Sequence, residues 1–154
     1  MPRRDPSRFD TLMRVRKRQE QMRAQSLADV RTQIRSVQRQ REQISGEQVR
    51  MFQEAAHAVG EEFVGQEIHS FFQYERHLAR LAVERDATLR RLSEVEEERR
   101  AALEDSMKRR RVVERLQERF RQEEAVEQRK DEQKQNDEIA GVRAARRTQG
   151  EREP

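Results

Sequence analysis

Ala58-Val59-Gly60-Glu61-Glu62-Phe63-Val64-Gly65-Gln66 places two of the chain's five glycines within six residues. Glycine costs about 1 kcal/mol in a helix interior, so this cluster predicts a turn, over about residues 60–66. Before it, Leu27, Val30, Ile34, Val37 and Ile44 recur in the three-four rhythm of a helical seam, with Arg41 at the missing position. Phe9, Leu12, Val15 and Met22 form an earlier stripe offset by one residue, as a stutter in the heptad would produce. After the turn, Phe71, Leu78, Leu92, Val113 and Phe120 fall at one core position of the heptad, and Ile68, Ala82, Leu89 and Leu103 at the other. Arg85, Arg99 and Arg110 interrupt that seam, so Leu81, Val95, Met107, Val112 and Leu116 on its flank are expected to share the packing.

Folding at the glycines sets Leu12 opposite Val113, Val30 opposite Val95, Val37 opposite Leu89 and Ile44 opposite Leu81, apolar against apolar throughout. The predicted fold is all-α: one antiparallel coiled-coil hairpin domain over 1–141, helix 1 over about 7–59 and helix 2 over about 67–140. A flexible tail follows over 142–154. Ser45-Gly46, with Ser45 and Gln48 able to form a capping box, is a rival break.

Composition points the same way. Charged residues make up 42% and hydrophobic ones 32%, too few for a thick globular core but enough for a helix-helix seam. Arg, Glu, Gln, Ala and Leu are strong helix formers, and prolines occur only at positions 2, 6 and 154. The absence of cysteine excludes thiolate chemistry and fits a reducing compartment, so a cytoplasmic location is expected. Neither a signal peptide nor a membrane span is indicated. Residues 1–40 carry eleven Lys/Arg against four Asp/Glu, and residues 41–75 two against seven. That asymmetry suggests different partners for the basic stem and the acidic turn region.

Catalysis finds little support. Glu54-x-x-His57 has the spacing of one half of a di-iron motif, but the second half is absent, and His69 and His77 have no ligand set around them. No strand precedes a glycine-rich loop, and two helices offer no water-excluding pocket, so neither an enzyme nor a cofactor is expected. Arg14-Val15-Arg16-Lys17-Arg18 and Lys108-Arg109-Arg110-Arg111 could hold phosphates. Aromatic stacking residues are absent there and Glu104, Asp105 and Glu114 dilute the field, so specific nucleic-acid binding is the rival reading rather than the first one. A purely structural coiled coil is another. Phe52, Phe63, Phe71, Phe72 and Tyr74 are five of the seven aromatics and flank the turn, where they form either an exposed binding patch or a plug closing the hairpin.

Two further segments carry a resemblance. Arg8-Phe9-Asp10-Thr11-Leu12-Met13-Arg14-Val15-Arg16 resembles the start of the flagellar type III export protein FliJ family. Glu132-Gln133-Lys134-Gln135-Asn136-Asp137-Glu138-Ile139-Ala140 is similar to that family's C-terminal signature, through Gln133, Lys134, Asp137 and Glu138. The resemblance implies a cytoplasmic component, peripheral at the cytoplasmic face of the inner membrane through its partners. It would sit in the hexameric flagellar export ATPase, contact the cytoplasmic region of the export-gate membrane protein and assist export chaperones. Carried over by position, Phe9, Leu12, Arg14, Arg16, Lys17 and Arg18, with Val113, Leu116 and Phe120 opposite, form the ATPase-binding stem. Phe52, Phe71, Phe72, Tyr74, His77 and Leu81 form the segment directed to the gate.

Overall fold

Helix formers without an internal proline give two uninterrupted helices. The computed structural model describes residues 7–58 and 65–150, as α1 (Ser7–Ala58, 52 residues) and α2 (Gly65–Gly150, 86 residues), with no strand among the described residues. Asp10 and Glu67 lie in the first turns and His57 and Arg147 in the last, each on the side that complements the helix dipole.

The expected turn residues divide. Gly65 and Gln66 already belong to the first turn of α2, while 59–64, with Gly60 and Phe63, lie outside the described residues. Ser45-Gly46 is no break. α1 continues through it because Ile44 and Met51 are buried on either side, which offsets the propensity cost of one glycine. At the other end, the flexible tail expected from residue 142 is helical as far as Gly150. Gly141 is a single penalty there, and Ala140, Ala144, Ala145 and the arginines around them favour helix.

The two helices contribute to two compact units, Met1–Arg16 with Lys108–Pro154, and Lys17–Met107. In Lys17–Met107, Arg31 pairs with Glu96 at 2.8 Å and Arg41 with Asp86 at 3.0 Å. A step along α1 from Arg31 to Arg41 is matched by an equal step back along α2 from Glu96 to Asp86, so the helices are antiparallel and do not slip between those points. Leu27, Val30, Ile44, Met51, Leu78 and Ala82 are buried here; Val30 and Leu78, at 1% and 2% exposure, are the most deeply so. Each of the larger aliphatic side chains among these contributes about 1.5–3 kcal/mol, and Ala82 less. In the other unit Met13 and Val113 are buried, the Phe9 and Phe120 rings meet at 5.4 Å, and Gln117 donates to Asp10 at 2.9 Å.

The seam of α2 follows the expected heptad. That of α1 corrects its first turns. Leu12, Val15 and Met22 are exposed, and the buried or half-buried positions are Phe9, Met13, Arg16 and Glu20, in phase with Leu27, Val30, Ile34 and Val37. No stutter is present. The strong stripe sets one phase for the whole helix, and polar residues with long aliphatic stems occupy the seam where that phase requires. The register also differs from the expected one: Arg31 meets Glu96, whereas setting Val30 against Val95 would have brought it to Glu94. On the flank of α2, Leu81, Val95 and Met107 are half-buried as expected, but Val112 and Leu116 are exposed. Ile68, expected at a core position of the seam, is exposed as well, because the register that sets Arg31 with Glu96 carries its opposite position past Ala58, where α1 ends.

Candidate functional site

Where α1 ends and α2 begins, Ile44, Met51, Leu78 and Ala82 form an apolar knot, against which Phe71 and Leu81 pack. Phe71 meets Phe52 edge-on at 6.3 Å and Phe72 at 5.7 Å. The choice between plug and patch therefore resolves residue by residue. Phe71 closes the knot, while Phe52, Phe72 and Tyr74 remain 55%, 49% and 47% exposed. Phe63 lies outside the described residues.

Tyr74 is held by two contacts. Its hydroxyl donates to a carboxylate oxygen of Glu47 across the helix pair at 2.9 Å, and its ring lies 6.4 Å from that of His77. The hydrogen bond to Glu47 raises the Tyr74 pKa above the usual phenol value, with smaller contributions from partial desolvation and the Glu47 charge, opposed by Arg50. At neutral pH this is an oriented, neutral donor on an exposed aromatic surface. His77 is exposed and Leu81 half-buried.

Along the rest of Lys17–Met107, polar side chains bridge the helices. Besides the pairs of Arg31 and Arg41, Arg99 reaches from the seam of α2 to the carbonyl of Ser26 at 2.8 Å. Arg85 also occupies the seam, with its Nε buried and no hydrogen-bond partner for that atom among the described residues. Arg41, Arg85 and Arg99 fill seam positions where aliphatic residues would pack, and the contacts of Arg41 and Arg99 point across the pair. The site chemistry is thus one of surfaces. No described group of three or more His, Cys, Asp or Glu is placed to hold a metal ion, and no described helix is long and apolar enough to cross a membrane.

Residues 5–149 match the sequence model of the flagellar FliJ protein family. The chain belongs to that family. No curated protein and no solved structure matches it. Membership in the FliJ family implies a component of flagellar type III protein export, and the family is one of export components rather than of known enzymes.

Within this FliJ-family chain, the residues expected at the stem separate into two sets. Phe9, Val113 and Phe120 are brought together in one unit, with Leu12, Arg14 and Leu116 exposed on it and Arg16 half-buried. Lys17 and Arg18 are exposed and belong to the other unit. Met13 is a seam residue that reading Leu12 as the core position missed. Extending the strong rhythm backward from Leu27 would have found it. The signature residues Gln133, Lys134, Asp137 and Glu138 are exposed on α2, with Gln133 and Asp137, and Lys134 and Glu138, one turn apart.

Proposed function

We propose that this chain is the stalk-like subunit of a flagellar export ATPase complex. The paired ends around Phe9 and Phe120 enter the hexameric ATPase, and the aromatic surface of Phe52, Phe72 and Tyr74, with His77 nearby, contacts the cytoplasmic region of the export gate. Export chaperones are received on the same complex, which places the chain at the cytoplasmic face of the inner membrane through its partners. The family match over residues 5–149 carries this reading.

Two further observations support it. Leu12, Leu116 and Arg14 stand exposed beside the Phe9–Phe120 contact, so a partner can meet them without unfolding the pair. Aromatic side chains about half exposed on a packed base are suited to burial by a second protein. The chain supplies no catalytic group in this scheme. Its effect on the ATPase is to hold ring subunits in a productive arrangement and so raise hydrolysis.

Mixing the purified chain with its cognate export ATPase is expected to yield a complex and faster ATP hydrolysis; neither complex nor acceleration would sink the proposal. Phe72→Ala with Tyr74→Ala is expected to weaken gate binding while helical content and ATPase binding persist.

A further inference from the structure

The apolar residues displaced from the α1 seam do not scatter over the surface. With Met13 and Gln117 at heptad position a, and Phe9, Val113 and Phe120 at d, Leu12 and Leu116 both stand at g, and Val15 and Val112 both at c. In an antiparallel pair, g of one helix lies beside g of the other. Glu47 and Tyr74, both at g, meet in this way in the Lys17–Met107 unit. The register set by Phe9 with Phe120 and Asp10 with Gln117 brings Leu12 alongside Leu116, and Val15 alongside Val112. Four aliphatic side chains, 39–56% exposed, therefore share one flank of the unit formed by Met1–Arg16 and Lys108–Pro154.

Charge sorts with them. Within residues 8–16 and 108–120 the acids are Asp10, Glu114 and Glu118, and all three stand at e or b, on the opposite flank. Arg8, Lys108, Arg115 and Arg119 stand at c or f, bordering the aliphatic face, and each is exposed. One flank is thus aliphatic with a cationic border, and the other mixes both signs. Such a face is complementary to a protein surface with an apolar patch edged by carboxylates.

We infer that this flank, centred on Leu12, Val15, Val112 and Leu116, is the surface by which the chain docks on the export ATPase, against an apolar patch edged by carboxylates. The inference rests on the proposed ATPase reading and adds a direction to it. The stem engages ring subunits unequally, by one face, rather than through a ring of equivalent contacts. Val15 and Val112 become contact residues, although neither is needed for the seam.

The test uses the full chain and the cognate ATPase, with affinity and helical content measured together. Val15→Ser with Val112→Ser, both at exposed positions, should weaken binding about tenfold or more with helical content unchanged. Arg111→Ser, on the other flank, should change affinity by less than about threefold. Equal effects, or a larger loss for Arg111→Ser, would overturn the face assignment and leave the ATPase reading standing. Failure of the unaltered chain to bind would remove both. A loss of helical content in the double variant would show that Val15 and Val112 serve the pair itself and would overturn the inference. Vesicles of anionic phospholipid form the other arm. Binding to them that disappears in the double variant, with ATPase affinity intact, would assign the face to a membrane surface and overturn the protein partner.

Discussion

Two stretches of α2 have similar helix-forming composition and different support. From Phe71 to Phe120 a buried or half-buried residue recurs every three or four positions against α1. From Arg121 to Gly150 every residue except Ala125 is exposed, and the helix relies on its own backbone and on local contacts one turn apart, such as Gln122 with Glu118 and the Thr148 hydroxyl with the carbonyls of Ala144 and Ala145. The difference teaches that helical form and helical stability have separate origins here. Propensity and the lack of proline account for the form of both stretches, whereas burial against a second helix stabilises only the first.

The sharpest way to break this contrast is to remove a side chain from each stretch. Leu78→Ala, at one of the two most deeply buried side chains, should cost about 2–4 kcal/mol in chemical denaturation. Val126→Ala, in the exposed stretch, should stay within about 0.5 kcal/mol. Similar losses at both sites would mean that Val126 is buried in solution and that the exposed stretch has acquired a partner.

A smaller effect is expected where the seam itself is polar. Arg85→Leu should stabilise the chain by about 1 kcal/mol, because it removes a buried donor left without a hydrogen bond and fills the position with aliphatic volume. A destabilisation would show that its guanidinium makes a contact worth more than the packing. Gly46→Ala should add about 0.5–1 kcal/mol, since an added Cβ meets nothing within 4 Å and the helix continues on both sides. Gly141→Ala, equally open, should raise helical content while leaving the unfolding transition of the paired stretch in place.

The smallest effect is spectroscopic. Tyr74 is the single tyrosine of a chain without tryptophan, so tyrosinate absorbance reports one site. Its raised pKa, caused first by donation to Glu47, should fall back toward the ordinary phenol value in Glu47→Gln. A raised pKa on an acid that is neutral when protonated means that this contact stabilises the fold below the unfolded pKa of about 10 and is lost as pH rises through the folded value. The opposite sign holds for Glu97, whose pKa is lowered chiefly by the hydrogen bond from Arg100. Its contribution is present above the ordinary carboxylate range and disappears as pH falls through the lowered value.

The sequence by itself determined the two helices, their antiparallel pairing, the α2 seam through Phe71, Leu78, Leu92, Val113 and Phe120, and the family. Each of these rests on a pattern repeated over many residues, so chance departures average out. Tertiary structure chose between the two phases that the sequence offers for the first turns of α1, the local one through Leu12 and the one extended backward from Leu27, and brought Met13 rather than Leu12 into the seam. It also separated Phe71, packed on the knot, from the exposed Phe52, Phe72 and Tyr74. Leu12 and Met13 are adjacent and similar in hydrophobicity, and the short stretch around them does not set its own phase. A helix is stiff, so the strongly patterned segment beyond Leu27 dictates which neighbour turns inward. That same constraint leaves Leu12 and Val15 on the surface, beside Leu116 and Val112.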